Sequence, residues 1–344
     1  MVNENKFADN PFLIGHENVL FSTNSGLGFV VCEGKFPTEE DFISFEEVVK
    51  KIKKNQHFKL ILNMGDSSTS GWDSDAITNT KKIKNCKKPF FNYKTYSDIL
   101  RKEGFNVINA GVSGYSSYQG VKYTKQLLKK LAKEKIIVDC VTIYFGNNDS
   151  VYSPVEDKSC IDYKKPSPQN LYRRVSTLDY EKNILEIINT IREYGSAPAI
   201  IVPARRYDWK PGLRSLKHKY EYKNGFKKLP EGILKRNLLN AEKQYLKGNL
   251  KKAYSLDIFL PRIKDDYIKI LKKISRKHKT PLINIQHKIP INKTDKLFCD
   301  YCHPLEHLNK EIANEIKKIV KFKKDNYLEK KSLNKPSENV YPLN

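Results

Sequence analysis

Four short polar segments of this 344-residue chain hold the groups that acyl chemistry needs. They are GDSSTSG (65–71), NAGVSG (109–114), GNND (146–149) and DYCHP (300–304). Between them they supply a serine hydroxyl, backbone N–H groups at glycine, a carboxamide, a carboxylate and an imidazole. Taken singly, each has an ordinary explanation as a turn, a loop glycine or a helix cap. Three of them directly follow apolar runs and the fourth precedes the last helical pattern, and this joint placement is the informative feature.

This ordered set resembles the SGNH, or GDSL-type, serine hydrolase family. GDSSTSG matches the family's first block, Gly114 its second, GNND its third and DYCHP its fifth. The resemblance extends from about residue 59 to residue 319 and is interrupted by residues 205–262. It implies a flavodoxin-like three-layer α/β/α sandwich and an ester hydrolase. One departure is Leu308, where many members carry glycine, and it affects the start of the last helix more than the chemistry.

The resemblance implies a catalytic triad of Ser67, Asp300 and His303. A serine hydroxyl is not ionised at neutral pH, so a nucleophilic serine needs a base. His303 would accept the proton of Ser67 and later return it to the leaving alcohol. Asp300 precedes His303 by three residues, so one tight turn can bring its carboxylate to the imidazole Nδ1. That contact would fix the tautomer of the ring and stabilise the imidazolium.

The tetrahedral intermediate of ester cleavage needs hydrogen-bond donors around its oxyanion. The expected donors are the backbone N–H groups of Ser67 and Gly114 and the side-chain amide of Asn148. Glycine suits the second position because a Cβ would obstruct the close approach of the backbone. These three residues form the predicted oxyanion hole.

Residues beside these segments are candidates for binding the substrate. Trp72 and Asp73 follow the first segment and could line an acyl or sugar subsite. Arg205 and Arg206 follow the fourth apolar run, where they could hold an anionic substrate, and ion pairing with the next segment is the alternative. Asp66 is expected to accept hydrogen bonds from loop amides rather than to transfer protons.

A second pattern overlaps the last segment. Cys299, Cys302 and His303 form C-x-x-C-H, the attachment pattern of c-type haem, in which His303 would be an axial iron ligand. Asp300 is required by the hydrolase and not by haem, which favours the hydrolase. A zinc site that also uses His307 is disfavoured because cysteines three apart need a second ligand pair. We therefore expect no cofactor and no metal ion.

Five apolar runs rich in Ile, Val and Leu predict strands that are covered on both faces. They lie at 58–64, 105–110, 136–145, 197–203 and 281–285. Amphipathic segments before the second, third and fourth runs predict helices at 96–104, 121–135 and 180–195. This alternation indicates βαβ units in an α/β fold with a mostly parallel five-stranded sheet. A ligand site is then expected beyond the carboxyl ends of the strands, where the polar segments lie.

The predicted hydrolase core comprises residues 58–204 and 263–324. Residues 1–57 form an N-terminal extension with a helix at 42–54, and residues 325–344 a flexible tail. Residues 205–262 form an insertion that contains a helical hairpin. One helical pair cannot bury its own apolar face, so the hairpin is expected to pack on the core or to cover the site.

The chain is strongly basic, with 63 Lys and Arg against 39 Asp and Glu and a formal net charge of +24. The lysines are scattered along the chain, which is typical of a solvated surface, so nucleic acid is not an expected partner. No apolar run approaches the roughly 20 residues of a transmembrane helix. The first residues lack the pattern of a signal peptide, which predicts a cytoplasmic protein with reduced cysteines.

Three functions from different classes fit these observations. The first is a serine esterase for small O-acyl esters, with acetyl groups on carbohydrate as the substrate that the resemblance suggests. The second is an O-acyltransferase that uses the same acyl-enzyme and a sugar acceptor. The third is a non-catalytic module that binds a partner through the helical hairpin and the basic surface. All the expected polar and glycine positions are present, which favours an enzyme.

Overall fold

The computed structural model describes residues 21–24, 28–31, 36–37, 42–71, 94–153, 172–211, 233–257 and 260–333. Its strands are β1 (Phe21–Asn24), β2 (Gly28–Val31), β3 (Phe36–Pro37), β4 (Phe42–Ile43), β5 (Leu60–Gly65), β6 (Asn106–Gly111), β7 (Cys140–Tyr144), β8 (Tyr152–Ser153), β9 (Tyr172–Arg173), β10 (Ala197–Ile201) and β11 (Leu282–Ile283). Its α-helices are α1 (Phe45–Lys54), α2 (Ser67–Ser70), α3 (Tyr96–Lys102), α4 (Ser117–Lys133), α5 (Thr177–Glu193), α6 (Ile233–Leu246), α7 (Leu250–Leu256), α8 (Asp265–Lys277) and α9 (Glu306–Leu333).

The central sheet has five strands in the order β11–β10–β7–β5–β6. Every neighbouring pair in it is parallel. Read from β6 and numbered along the chain, these strands have the order 2-1-3-4-5, which is the flavodoxin-like order. Each of the five predicted apolar runs overlaps one of these strands, with β5 and β6 ending one residue beyond their runs, and the predicted α/β fold is confirmed.

Successive side chains of the sheet pack on opposite faces, and helices cover both. On one face, Leu62 and Met64 of β5 belong to a cluster with side chains of α4, α5 and α8. Helix α1 adds Val48 and Ile52 to this cluster. On the other face, Ile61 belongs to a cluster with side chains of α3 and α9. The strands are apolar on both faces because both faces are buried, which gives three layers.

Helices α1 and α3 each begin at a capping box, in which the cap residue and the third helical residue exchange hydrogen bonds. Ser44 and Glu47 form the box of α1, and Thr95 and Asp98 form that of α3. Helix α9 continues through Leu333, past residue 325, because residues 325–333 contain neither Gly nor Pro. None of the helices in the described part of the chain is long and apolar enough to cross a bilayer.

The hairpin expected within residues 205–262 is formed by α6 and α7. Tyr254 of α7 is buried and its hydroxyl donates to the carbonyl of Ile263 at 2.7 Å. Arg262 and Asp257, both almost fully buried, form an ion pair beneath it. A buried charge is tolerated only when it is paired and hydrogen-bonded, so this pair ties the hairpin to the segment that leads into α8.

Three strands end side by side at the carboxyl edge of the sheet. Gly65 at the end of β5 is in register with Gly111 of β6 and with Tyr144 of β7. The polar segments that follow these strands therefore begin next to one another. Helix α2 lies directly against the end of β6, because a Cβ on Gly111 would come within 2.2 Å of the backbone nitrogen of Ser70. Only glycine allows this approach.

Candidate active site

Ser67 is the first residue of α2 and lies just beyond the end of β5. The preceding Asp66 caps this short helix, with its Oδ1 accepting from the backbone N–H of Ser68 at 2.9 Å. The side chain of Asn109 in β6 donates to the carbonyl of Thr69 at 2.8 Å. These bonds hold Ser67 at the carboxyl edge of the sheet. They also leave its backbone N–H in the first turn, where N–H groups have no acceptor within the helix.

The loop before α9 brings an imidazole and a carboxylate to this serine. His303 Nε2 lies 2.7 Å from Ser67 Oγ, and His303 Nδ1 lies 2.6 Å from Asp300 Oδ2. Asp300 Oδ1 accepts from the backbone N–H groups of Cys302 and His303, each at 2.9 Å. The relative exposures of Ser67, Asp300 and His303 are 8%, 3% and 4%. The structure thus unites, in one buried chain of hydrogen bonds, the three residues that the sequence assigns to catalysis.

The carboxyl group of Asp300 is held in its ionised form. Burial by itself raises the pKa of Asp300, because a low-dielectric interior disfavours the charged form. The adjacent His303 and the hydrogen bonds from His303 and the Cys302 backbone outweigh burial, so the pKa lies below its ordinary value. An ionised carboxylate at this position accepts from Nδ1 and leaves the Nε2 lone pair facing the serine.

The two other predicted oxyanion donors lie at the ends of β6 and β7. Gly114 has a φ of +81°, a left-handed conformation that glycine adopts without strain. The Asn148 side-chain amide donates to the carbonyl of Tyr115 at 2.9 Å. An amide has two N–H groups, so this bond leaves Asn148 the capacity for a second acceptor. Gly114 and Asn148 are therefore linked through adjacent residues at the same sheet edge as Ser67.

A family model for GDSL-like lipases and acylhydrolases matches residues 64–314. The match spans more than half of the chain and includes all four polar segments. The chain belongs to the GDSL-like lipase/acylhydrolase family. It is an ester hydrolase of the SGNH type.

Solved structures of other hydrolases resemble the chain at low identity. A lipase/acylhydrolase from Enterococcus faecalis is 16% identical, with 77% of this chain and 97% of that chain covered and a TM-score of 0.42. A GDSL-like lipase from Bacteroides thetaiotaomicron is 14% identical, with 81% and 98% covered and a TM-score of 0.41. The acetyl xylan esterase AlAXEase is 13% identical, with 76% and 99% covered and a TM-score of 0.40. A search of curated proteins gave no match. The family assignment depends on the family model alone.

Arg174 supports the site of this SGNH hydrolase and is not marked by any motif in the sequence. It is 4% exposed, and its Nη1 donates to the carbonyl of Gly114 at 2.6 Å. Its Nη2 lies 3.4 Å from Gln119 Oε1. Holding this carbonyl fixes the orientation of the Gly114 backbone. Asn109, by contrast, lies inside the NAGVSG segment, and its place two residues before Gly111 could have identified it.

The two arginines proposed to hold substrate have protein partners. Arg205 forms an ion pair with Asp265. Arg206 is 4% exposed, and its Nη1 donates to the carbonyl of Asp300 at 3.1 Å. Arg206 also pairs with acidic side chains, namely Asp208 and Asp295. Through this bond to the Asp300 carbonyl, Arg206 holds the loop that carries Asp300 in place. Trp72 and Asp73 lie outside the described residues.

Aromatic side chains border the imidazole. The ring centroids of Tyr301 and His303 are 6.0 Å apart, and those of Trp209 and Tyr301 are 6.4 Å apart. Both aromatic residues are partly exposed. His303 Nε2 contacts Ser67 and His303 Nδ1 contacts Asp300, so the nitrogen that ligated a haem iron would have to give up its contact with Ser67 or Asp300.

Asp66 differs from Asp300 in its environment. It is fully buried, its Oδ1 accepts from Ser68, and its Oδ2 has no hydrogen-bond partner. Desolvation by burial raises its pKa to about 7, although the backbone bond from Ser68 and the nearby His303 work in the opposite direction. The contact with Ser68 agrees with the expected role as an acceptor for loop amides.

We expect the stability of the protein to depend on pH through Asp66. Its folded-state pKa of about 7 exceeds the value of about 3.9 for an unfolded Asp, so between these values the folded state binds the extra proton. Stability then falls as the pH rises from about 4 to about 7. Asp66→Asn keeps an acceptor for Ser68 and removes this titration. Urea unfolding at pH 5 and pH 8 should show the variant gaining stability relative to the native protein at the higher pH. An equal difference at both pH values would contradict the assignment.

Proposed function

We propose that this enzyme is a serine esterase that cleaves small O-acyl esters, with O-acetyl esters of carbohydrate as the leading substrate class, through an acyl-enzyme on Ser67. The observation that carries the proposal is the buried chain from Ser67 Oγ to His303 Nε2, 2.7 Å, and from His303 Nδ1 to Asp300 Oδ2, 2.6 Å. This order of hydroxyl, imidazole and carboxylate is the arrangement that serine nucleophiles use on unrelated folds.

The reaction follows from this arrangement in two halves. Ser67 Oγ attacks the acyl carbon while His303 Nε2 removes the hydroxyl proton. His303 then donates that proton to the leaving alcohol as the bond from carbon to that oxygen breaks, which leaves the acyl group on Ser67. In the second half, His303 removes a proton from water as the water oxygen attacks the acyl carbon. The bond from that carbon to Ser67 Oγ then breaks, the acid is released, and His303 returns the proton to Ser67 Oγ. Asp300 stabilises the imidazolium of each half.

We assign the oxyanion hole to the backbone N–H groups of Ser67 and Gly114 and to the side-chain amide of Asn148. The first turn of α2, the left-handed Gly114 and the remaining amide capacity of Asn148 support this assignment. Preorganised donors of this kind stabilise the charge that develops on the carbonyl oxygen. Arg174 and Arg206 act as positioning residues, because they hold the carbonyls of Gly114 and Asp300 respectively.

The aromatic side chains beside His303, Tyr301 and Trp209, support a sugar ring as the leaving group. The leaving oxygen must approach His303 to be protonated, so Tyr301 and Trp209 lie on the leaving-group side of the site. Aromatic side chains offer a rigid apolar surface with a polar edge, which suits the apolar face of a sugar ring. Acetylated sugars therefore combine the small acyl group and the leaving group that this proposal requires.

Replacing the nucleophile tests the assignment of Ser67. Ser67→Ala should lower the turnover of p-nitrophenyl acetate by roughly 10⁴–10⁶, because the covalent route is lost. Ser68→Ala is the matched control, since Ser68 is the next residue, is also buried and has a hydroxyl without a hydrogen-bond partner. We expect this control to stay within a few-fold of the native rate. Near-native turnover by folded Ser67→Ala would refute the role of this residue.

The acyl group and the leaving group are tested with a substrate panel. The kcat/KM for p-nitrophenyl esters should fall steeply from acetate to octanoate, and acetate should be released from acetylated xylan or acetylated amino sugars. A preference for octanoate would instead indicate a lipase or thioesterase. Transfer of the acetyl group to an added sugar in excess of free acetate would indicate the acyltransferase. Product analysis by chromatography distinguishes these outcomes.

A further inference from the structure

The loop that carries the catalytic base also gathers metal-ligating side chains. One ligand atom from each of Cys299, Asp300 and His303 lies within 4.8 Å of the others. Cys302 Sγ lies 3.8 Å from His303 Nδ1. The sequence disfavours zinc here because the cysteine pair lacks a second ligand pair. In the structure, the carboxylate of Asp300 and the imidazole of His303 occupy the place of that second pair.

The ligand atoms of Cys299, Asp300 and His303 lie within about 1 Å of the spacing that a tetrahedral cation needs. Zinc binds sulfur at about 2.3 Å and nitrogen or oxygen at about 2.0–2.2 Å, so its ligand atoms lie roughly 3.4–3.8 Å apart. The distance between Cys302 Sγ and His303 Nδ1 already has this value. Cys299 is partly exposed, which gives a cation access from solvent. The contact between Asp300 and His303, 2.6 Å, would have to open by somewhat less than about 1 Å.

We propose that Cys299, Asp300, Cys302 and His303 form a binding site for a thiophilic divalent cation such as Zn²⁺, and that the bound cation inhibits the enzyme. Asp300 already accepts hydrogen bonds from His303 and from two backbone N–H groups, so the loop does not require an ion to satisfy this carboxylate. The cation is therefore an exchangeable inhibitor and not a structural cofactor. Inhibition by the cation, unlike its binding, rests on the proposed function of the enzyme as a serine esterase.

Inhibition follows from the tautomer of the imidazole. Catalysis requires the proton on Nδ1 and a lone pair on Nε2. A cation bound to Nδ1 takes the lone pair of that nitrogen, and the ring proton moves to Nε2. Nε2 then donates to Ser67 Oγ and cannot accept its proton. Each cysteine that binds releases its thiol proton to solvent, and no electrons are transferred.

The test compares Zn²⁺ inhibition of the native enzyme with that of Cys299→Ser, each expressed relative to the same protein in EDTA. We expect EDTA-reversible inhibition of the native enzyme. The concentration for half inhibition should rise at least about tenfold in Cys299→Ser, since even residues that only orient metal ligands are worth 10–100-fold in affinity. Cys140→Ala is the control, because this cysteine is buried in β7, away from the loop that carries His303. It should remain as sensitive as the native enzyme, and Mg²⁺ should not inhibit because it prefers oxygen ligands.

A second readout does not depend on esterase activity. Co²⁺ added to the native protein should give a thiolate-to-cobalt absorption band in the near ultraviolet that Cys140→Ala keeps and Cys299→Ser weakens. If this band appears without any esterase activity, the site stands and the proposed function fails. Esterase activity with equal Zn²⁺ sensitivity in the native enzyme and Cys299→Ser, and no cobalt band, would overturn the site and leave the proposed function intact.

Discussion

The hydrogen bond between Ser67 and His303 joins two residues that are 236 positions apart in the chain. Such a contact exists only if the end of β5 and the loop before α9 meet at the same edge of the sheet. The flavodoxin-like strand order meets this requirement, because it places β5 between β6 and β7 and packs α9 across one face. The close approach of α2 to Gly111 then sets the position of the serine.

Two buried carboxyl groups near this bond have pKa values shifted in opposite directions, because their surroundings differ. Asp300 accepts bonds from His303 and two backbone N–H groups, and its pKa is lowered despite burial. Asp66 has one oxygen without a partner, and burial raises its pKa to about 7. An unsatisfied buried acceptor costs about 1–3 kcal/mol, which offsets the stability that Asp66 contributes by capping the helix that begins at Ser67. Opposite shifts in neighbouring acids are typical of catalytic sites.

Much of the fold and of the candidate site could be predicted from the sequence. Strands buried on both faces are continuous apolar runs, and parallel strands place their carboxyl ends together. The five strands and the fold follow from those two rules, and the joint position of Ser67, Gly114 and Asn148 follows from the second. The partners of Arg174 and Arg206 could not be predicted, because each contacts a backbone carbonyl far along the chain. The clustering of Cys299 with Asp300 and His303 depends on the turn of the loop, which spacing alone does not define.

The activation of Ser67 by His303 is tested most directly by the site and rate of reaction with a fluorophosphonate, mapped by mass spectrometry of peptides. This reagent phosphonylates a serine that a neighbouring base has activated. If His303 activates Ser67, a single adduct should form on Ser67, with Ser68 unmodified, and the labelling rate should fall by orders of magnitude in His303→Ala. An adduct on another residue, or an unchanged rate in folded His303→Ala, would contradict it.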